Sequence, residues 1–425
     1  MRALLIVSAL AALVAACAAQ QAEQYRGWKL VVALPQDAVQ VDAVSAVGAW
    51  RDVDMFNHHV LPGGQVTLMM PPGRLAAAQR VFDDKGVAFR VTNDDVQESV
   101  NAEAAAQQSS LLARAASAVP TYDRYMRYAE IQQFLQQTAD AYPHLATLEQ
   151  AGKSFEGRDM TALRISKNGG TSARAIFVDA GIHAREWIAP PVAIYLIQQL
   201  TQQAEANDAL LDGLDWYIMP LVNPDGYEYT HTRDRFWRKN RSTQSSRWCP
   251  GTDVNRNFGY HYKQAGTSDY PCDETYAGPK AFSEPEARNL RDYILKCQER
   301  ANGNVKMYLT LHSYGPMILY PWGYDFNLPD APDKDELISI ANEANKAIIR
   351  AGSEPFVVQN SAGLYPAAGA SDDWSKGVAN IAKAYTIELQ GGGSNGFDLP
   401  ANRILGVVQQ LFEGMRVFAA RAKQL

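Results

Sequence analysis

The chain of 425 residues is predicted to be an α/β protein: a sheet covered by helices on both faces, preceded by a small ferredoxin-like α+β domain. Over residues 115–425, apolar strand-like runs alternate with amphipathic helix-like runs, which favours a sheet buried between two helical layers. Residues 27–92 follow the order βαββαβ, which is typical of a ferredoxin-like sandwich. A hydrophobic fraction of 47% is ordinary for a globular protein, and the length allows more than one domain.

The N-terminal stretch MRALLIVSALAALVAACAAQ predicts a secretory signal peptide, because one basic residue, an apolar run and a small-residue end follow one another. Cleavage is expected after Ala18 or Ala19. The alternative is a bacterial lipoprotein box at residues 14–17, which would attach a lipid to Cys17. No other stretch approaches the roughly 20 apolar residues of a membrane-spanning helix. The signal peptide predicts that the chain is secreted, and no membrane binding is expected. A net charge of −6 gives no basic field for nucleic acid.

The elements of the first domain follow from hydrophobic periodicity and from turn residues. Four segments predict strands: WKLVVALP, WRDVDMF, QVTLMM and VAFRVT. Two segments between them predict helices, AVQVDAVSAVG and RLAAAQRVFDDK, the second ended by Gly86. His58 and His59 are adjacent and would point in different directions, which favours a solvated pair over a metal site.

A third helix is predicted over residues 94–114, which are rich in Ala, Gln and Glu and lack Gly and Pro. Small residues and Pro120 then break the pattern. An exposed arginine at such a boundary, Arg114, is a candidate for proteolytic cleavage, and an ordinary linker arginine is the alternative. The predicted organisation is a signal peptide at 1–19, an N-terminal domain with its connecting helix at 20–114, and a main domain at 115–425.

In the main domain, five apolar segments predict strands: MTALRIS, ARAIFVDAG, DWYIMPLV, VKMYLTLH and AKAYTIELQ. Helices are predicted for EIQQFLQQTADAY, PPVAIYLIQQLTQQ, DELISIANEANKAIIR and a last segment from about Pro400. Another helix is predicted to start with a capping box of Ser283 and Glu286, after a long loop over residues 223–282. Sites in such sheets gather at strand ends.

Three side chains at or near strand ends form a candidate metal site. His183 and Glu186 follow one apolar strand, and His312 ends another. A neutral imidazole nitrogen and a carboxylate oxygen are zinc ligands, and a His-Glu-His set known from zinc hydrolases leaves one position open. A His and a Glu three residues apart are a common pattern, so satisfied core or surface residues are the alternative.

The four cysteines suit an oxidising compartment. Cys249 and Cys272 lie in a loop rich in Gly, Pro and Tyr, where a disulfide would staple irregular chain. Cys297 lies in a helical pattern and is predicted to be a buried free thiol. The alternative is that all three cysteines outside the signal peptide are reduced. Asn240 begins a formal glycosylation sequon, which is a weak signal among candidate site residues.

Seven short motifs follow one another through nearly the whole main domain. They are His183–Trp187 (HAREW), NPDGY at 223–227, FWRK at 236–239, DVNRNF at 253–258, HSY at 312–314, YPAAG at 365–369 and TIEL at 386–389. In this order they resemble the pancreatic-type zinc metallocarboxypeptidases, the carboxypeptidase A and B subfamily. The first 114 residues resemble the signal and pro-domain of that family. The resemblance implies a mixed twisted sheet, one zinc ion per chain and a Cys249–Cys272 disulfide.

The resemblance also implies roles in catalysis. His183, Glu186 and His312 resemble the zinc ligands. Glu388 resembles the general base, and a carboxylate at the end of a buried strand is costly unless it is paired or used. Arg238 resembles the electrophile that stabilises the oxyanion with zinc. 

Other matched residues would bind the substrate or orient a ligand. Asp253 matches the carboxylate that holds the His183 N–H, and a turn-capping Asp is its alternative. Asn255, Arg256 and Tyr365 resemble the clamp on the terminal carboxylate of the substrate, which would make the enzyme an exopeptidase. Further substrate contacts are implied for Arg185, Ser313 and Tyr314.

Specificity in this family depends on the floor of the terminal side-chain pocket. Asp372 stands seven residues after Tyr365, where the B type has an Asp that binds Lys or Arg side chains. Asp373 matches an acid common to both types, and Gly323 leaves room as in the B type. Asn360 stands where the B type usually has a pocket-lining glycine, so the pocket is expected to be altered there.

These residues predict a secreted, monomeric zinc carboxypeptidase that is made as a zymogen and acts on peptide and protein C-termini. The expected preference is for C-terminal Lys or Arg, and the expected activator is a trypsin-like protease that cuts near Arg114. One alternative is an A-type preference for aromatic or aliphatic C-termini. Another is an inactive peptide-binding relative, which the presence of every ligand and of the base disfavours.

Overall fold

A computed structural model describes residues 24–56, 60–113, 120–167, 169, 172, 174–327, 329–392 and 396–425, with only the backbone at 109–113. The predicted signal peptide, with Cys17, Ala18 and Ala19, lies outside these residues, as do His58, His59 and Arg114. The described chain divides into two compact units. The first consists of Met1–Ser109, Thr232–Arg235 and Gly392–Asp398, and the second of Ser110–His231, Phe236–Gly391 and Leu399–Leu425, each within the described ranges.

The first unit contains the predicted ferredoxin-like sandwich, in which all neighbouring strands of the order β2-β3-β1-β4 are antiparallel. Its strands are β1 (Lys29–Leu34), β2 (Asp54–Met55), β3 (Val66–Met70) and β4 (Ala88–Asn93), and helices span Ala38–Gly48, Arg74–Lys85 and Val96–Ala113. Val31, Leu68 and Phe82 are fully buried in its core. Strand β2 is shorter than predicted because the Trp50 carbonyl accepts a hydrogen bond from Val53 N–H, which turns the chain before the strand begins.

The second unit is built on an eight-stranded mixed sheet, which confirms the predicted α/β class. The strand order is β11-β10-β12-β9-β7-β8-β6-β5. The strands are β5 (Ala146–Lys153), β6 (Asp159–Ile165), β7 (Arg174–Ala180), β8 (Leu214–Met219), β9 (Val305–Ser313), β10 (Met317–Tyr320), β11 (Val357–Asn360) and β12 (Lys383–Leu389). The sequence analysis did not predict β5, β10 or β11, because β5 is largely polar and the other two have four residues each.

Helices pack on both faces of this sheet. They span Tyr128–Ala141, Ala189–Thr201, Asp208–Leu211, Pro224–Thr232, Pro285–Arg300, Lys334–Arg350, Ser361–Leu364, Ser371–Gly377 and Ile404–Ala422, with 3₁₀ turns at Val254–Arg256 and Ala401–Arg403. Alternate side chains of β7 enter two separate cores: Ile176 and Val178 join one, and Ala175 and Phe177 join the other. This alternation is the period of a strand that is buried on both sides.

The predicted capping box at Ser283 is wrong. The helix Pro285–Arg300 begins with a proline, and no side chain caps it. The Ser283 hydroxyl instead donates to the Glu284 carboxylate. Glu286 accepts from the Phe155 N–H and the Asn240 side chain, so its carboxylate serves tertiary structure and not the helix end.

Three neighbouring parallel strands, β7, β9 and β12, bring the predicted site residues to one edge of the sheet. His312 and Glu388 are direct partners in the β9–β12 register. His183 follows β7 after Gly181, whose φ of +70° favours glycine, and a Cβ atom there would lie 2.7 Å from a Leu221 methyl. No helix in the described part of the chain is long and apolar enough to cross a membrane.

Candidate active site

The side chains of His183, Glu186 and His312 converge on one point. His183 Nδ1 lies 2.8 Å from Glu186 Oε1, and His312 Nδ1 lies 3.0 Å from Glu186 Oε2. The two Nδ1 atoms are 3.1 Å apart. All three residues are buried, and among the described residues they form the group of His, Cys, Asp and Glu side chains that could hold a metal ion.

These distances suit zinc. Tetrahedral zinc with ligands at about 2.0–2.1 Å has ligand–ligand separations of roughly 3.3 Å, close to those within this group. Two imidazoles and one carboxylate are a normal donor set for a catalytic zinc with a fourth position open. The residues therefore fit the ion that the sequence predicts.

Each histidine is oriented through its other ring nitrogen. His183 Nε2 lies 3.1 Å from Asp253 Oδ1, while His312 Nε2 lies 3.2 Å from the Thr310 hydroxyl. Thr310 in turn donates to Asp179 Oδ1 at 2.8 Å. A proton on Nε2 leaves the Nδ1 lone pair for a metal, so both contacts favour the tautomer that ligation needs.

The sequence analysis missed Asp179 and Thr310. Asp179 lies in β7, in the apolar segment AIFVDAG, and burial raises its pKa to about 6. The signal that pointed to Glu388, a carboxylate in a buried strand, is also present here. Applied to every strand, that signal would have found Asp179.

Charges in the metal group are balanced by neighbours. Burial opposes ionisation of Glu186, but the two imidazoles hold its pKa well below the usual range. For His312, burial favours the neutral ring, but Glu186 raises its pKa to about 9. For His183, burial and then the Arg238 charge lower the pKa. Glu186 and His312 thus favour each other's charged forms against the effect of burial.

Asp253 joins the metal group to Arg238. Its Oδ2 accepts from Arg238 Nε and Nη2, at 3.1 and 2.9 Å. Burial opposes its ionisation, but Arg238, His183 and Arg256 hold its pKa well below the usual range. Asp253 Oδ1 also accepts from Asn255 N–H, so the turn-capping alternative holds beside the contact with His183.

Glu388 lies on the cavity side of the metal group and is half-buried. Burial raises its pKa to about 7, and the charges of His312 and Arg238 limit that rise. A carboxyl group with a pKa near neutrality can accept a proton and then return it.

A cavity opens beside the metal group. Its lining includes His183, His312, Asn255, Arg256, Tyr365, Asp372, Thr386 and Glu388. Arg256 donates to the carbonyls of Gly266 and Asn255, and its Nη2 has no hydrogen-bond partner among the described residues. The Tyr365 ring centroid is 5.8 Å from the Arg256 guanidinium carbon. The cavity thus combines a cation and polar groups beside the candidate metal site.

Asp372 lies buried in the cavity wall. Its Oδ2 accepts from the hydroxyls of Ser361 and Thr386, each at 3.1 Å. Asp373 instead accepts twice from the Gly323 N–H, and burial followed by the Asp372 charge raises its pKa well above the usual range. No role was predicted for Ser361, which lies outside the seven motifs, or for Thr386, although Thr386 begins the motif TIEL.

Asn360 does not line the cavity as the sequence analysis expected. Its side-chain oxygen accepts from Gly363 N–H at 3.0 Å and caps the helix Ser361–Leu364. Because the Asn360 side chain caps this helix, it gives no reason to expect an altered pocket.

The other predicted substrate residues lie within two positions of a candidate metal ligand in the chain, but none of them is among the described residues that line the cavity. Arg185 is fully buried and donates to the Phe236 carbonyl. Ser313 N–H lies 3.2 Å from Glu186 Oε2, and a cis peptide joins Ser313 to Tyr314. The structure places these residues beside the metal group.

The predicted Cys249–Cys272 disulfide is present and crosslinks the long segment between β8 and β9. Cys297 is a buried free thiol, as predicted. Asn240 is fully buried, and its amide nitrogen donates to Glu284 and Glu286 at 2.9 and 2.7 Å. The folded chain therefore has no accessible nitrogen at Asn240 for a glycan.

A mixed α/β sheet with a buried His-Glu-His group, a carboxylate of raised pKa and an arginine-lined cavity defines the class of zinc hydrolases. Comparison with known families gives the particular one. Residues 131–414 match the zinc carboxypeptidase family, and residues 32–103 match the carboxypeptidase activation peptide. The chain belongs to the zinc carboxypeptidase family: it is a zinc-dependent exopeptidase that carries an activation peptide.

The relatives carry both A and B names. The chain is 44% identical to carboxypeptidase B of Astacus astacus over 69% of this chain and 96% of that protein. It is 36% identical to carboxypeptidase B of Helicoverpa zea over 99% of each chain. Among solved structures, carboxypeptidase A from Helicoverpa armigera is similar with a TM-score of 0.87 and 30% identity, covering 94% of this chain and 98% of that one. Names alone therefore leave specificity open.

Proposed function

We propose that this protein is a secreted zymogen of a carboxypeptidase that removes C-terminal Lys or Arg from peptides and proteins. The observation that carries the specificity is Asp372, a buried carboxylate in the cavity wall whose hydrogen-bond donors are two neutral hydroxyls. Among the described residues its hydrogen-bond donors are these hydroxyls, and no ion pair to a cationic side chain is formed. A substrate cation would supply the missing charge, and an apolar side chain would leave the carboxylate unbalanced.

His183, Glu186 and His312 would hold the zinc ion. Zinc bound there supplies Lewis acidity, which activates a water molecule and polarises the scissile carbonyl. Glu388 takes one proton from the attacking water as its oxygen bonds to the carbonyl carbon. When the carbon–nitrogen bond breaks, Glu388 returns that proton to the leaving amine.

Arg238 stabilises the negative charge that develops on the carbonyl oxygen, and Asp253 fixes its guanidinium. Asn255, Arg256 and Tyr365 bind the terminal carboxylate of the substrate. The unpartnered Nη2 of Arg256 supports this assignment, because a buried guanidinium N–H has no other acceptor. Arg185, Ser313 and Tyr314 contact the substrate further along. An internal peptide bond offers no carboxylate to this clamp, so only terminal residues are removed.

The zymogen comprises a signal peptide at 1–19, an activation domain with connecting helix at 20–114 and a catalytic domain at 115–425. We expect a trypsin-like protease to cut after Arg114, which follows the helix Val96–Ala113, and the mature enzyme to be a monomer. The second candidate function is an A-type preference for aromatic or aliphatic C-termini. The similarity to a carboxypeptidase A structure favours that candidate.

The test uses the full chain after treatment with trypsin. Hydrolysis is compared for two peptides that differ only in a C-terminal Arg or Phe, with and without a zinc chelator. The proposal expects chelator-sensitive activity and much faster release of Arg. Equal or faster release of Phe would replace the B-type assignment by the A-type one, and chelator-resistant activity or none would contradict the zinc mechanism.

A further inference from the structure

The motif NPDGY at residues 223–227 has no role in the proposed reaction, although it begins four residues after the end of β8 in the active-site sheet. Asn223 is fully buried at the start of the helix Pro224–Thr232. Its side-chain nitrogen donates to the Ile182 carbonyl at 3.1 Å and to the Lys239 carbonyl at 3.0 Å. One amide group therefore bridges the segment before His183 and the segment after Arg238.

The two bridged segments also share a backbone hydrogen bond, from Ala184 N–H to the Arg238 carbonyl at 3.0 Å. His183 and Arg238 lie far apart in the chain, and each is one residue away from a carbonyl that Asn223 holds. The side-chain oxygen of Asn223 accepts from Gly226 N–H, which fixes the amide plane. Both the nitrogen and the oxygen of the Asn223 side chain are therefore used in hydrogen bonds to the backbone.

Gly226 supports the same interpretation from a separate observation. A Cβ atom there would lie 2.5 Å from the Lys239 carbonyl oxygen, 2.6 Å from the Asn223 side-chain nitrogen and 2.9 Å from the Ala184 Cβ. These are atoms of the two bridged segments and of the bridge itself. Glycine is needed because the helix start packs directly against the joint between them.

We infer that Asn223 is a positioning residue that fixes Arg238 relative to the metal ligands, through its hydrogen bonds to Ile182 and Lys239. The inference rests on the proposed function, in which Arg238 acts on the developing oxyanion. An interaction that is made only in the transition state affects kcat and leaves KM nearly unchanged. Displacing Arg238 by a fraction of an ångström should therefore show in kcat.

The test is a double-mutant cycle on the full chain, activated with trypsin and assayed on a peptide with a C-terminal Arg. Asn223→Ala is expected to lower kcat by roughly 10- to 100-fold with KM within about threefold and the zinc content unchanged. In the Arg238→Ala background the same substitution is expected to lower kcat by less than about threefold, because the residue it positions is gone.

Asn207→Ala is the matched control. Asn207 is also buried, and its amide nitrogen also donates to two backbone carbonyls, those of Gln199 and Gln203, away from the site. It should lose stability without a change in kcat. Gly226→Ala is the second variant, because its added Cβ presses on the Lys239 carbonyl and on the Asn223 amide while residue 223 stays an asparagine. It should reproduce the fall in kcat if Asn223→Ala does not fold.

Three outcomes would overturn the inference. They are a normal kcat in a folded Asn223→Ala enzyme, an equal fall in both backgrounds, and an equal fall in the Asn207→Ala control. If Arg238→Ala itself keeps the normal kcat, the proposed function fails as well, so the two failures are told apart by the single Arg238 variant.

Discussion

The metal group (His183, Glu186 and His312) and the cavity wall at Asp372 differ in how their buried charges are balanced. Glu186 is paired with two imidazoles, and Asp253 is paired with Arg238 and His183. Asp372, only a short distance away across the same cavity, has two hydroxyls as partners. The first region is electrostatically complete within the chain, apart from its metal, whereas the second has a charge that a ligand can balance.

In the proposed function, this difference separates the residues that carry out the reaction from the residue that selects the substrate. Removing a paired charge leaves its partner buried and alone, so it disturbs the site for every substrate. Removing the unpaired charge of Asp372 should change only which substrate is preferred. The predictions below test that separation, from the largest expected effect to the smallest.

Glu388→Gln should give the largest loss because it removes the proton acceptor without changing the size of the side chain. We expect kcat/KM to fall by about 10³- to 10⁴-fold for Arg and Phe substrates alike. Zinc content measured on the same preparation should be unchanged. If the variant keeps a tenth of the activity, Glu388 is not the general base.

Asp372→Leu should act on substrate choice instead. Release of C-terminal Arg should fall by roughly 100-fold or more while release of Phe rises, because the buried charge is replaced by an apolar surface. Asp372→Asn, which keeps the shape and removes the charge, separates charge from volume. A variant that still prefers Arg would show that another residue recognises the cation.

The pH dependence of the activity tests whether Glu388 must be deprotonated for catalysis. Burial raises its pKa to about 7, and the group must be deprotonated to accept a proton from water. Activity should therefore rise with pH through about 7 and fall by roughly tenfold for each pH unit below it. Zinc content should be measured at every pH, so that loss of the ion is not mistaken for titration. A flat profile between pH 5 and 8 would contradict the assignment.

Thr310→Val should weaken zinc binding by about tenfold, because the hydroxyl that orients His312 and connects it to Asp179 is lost. Asp253→Asn should weaken it more, since Asp253 balances both His183 and Arg238. Competition with a chelator gives both affinities. If the two variants lose the same zinc affinity, a carboxylate partner of a ligand histidine is no more important for zinc binding than a hydroxyl partner.

Asn360→Gly should have the smallest effect. The Asn360 side chain caps a short helix and does not line the cavity. The ratio of Arg to Phe hydrolysis should change by less than about twofold, with a stability loss of a few tenths of a kcal/mol. A larger change in the ratio would mean that residue 360 does reach the substrate.

The sequence predicted the elements whose signal is local. The apolar runs of β7, β9 and β12 and the helices between them are periodic and long, so they were found with small errors at the ends. The ligands His183, Glu186 and His312 were found because their chemistry is recognisable at strand ends. The four-residue strands β10 and β11 were missed because they gain stability from their neighbours in the sheet.

The parts of the site that could not be predicted depend on contacts between distant segments. Ser361 and Thr386 become partners of Asp372 only when β12 and two short helices meet. The Asn360 side chain was expected in the pocket because it stands where the B type usually has a pocket-lining glycine. The sequence does not show that this side chain turns away to cap a helix. Ser283 and Glu286 matched a local capping pattern, but tertiary hydrogen bonds to Phe155 and Asn240 took the Glu286 carboxylate.

The Cys249–Cys272 disulfide closes a loop that carries Asp253, Asn255 and Arg256. A loop of this length stabilises the folded state by about 3 kcal/mol in the chain-entropy account. In the proposed function this loop binds the substrate carboxylate, and a chain made in a reducing cytosol would lack the disulfide that constrains it. Formation of the disulfide during export would then be a requirement for a stable active site, separate from cleavage of the activation peptide.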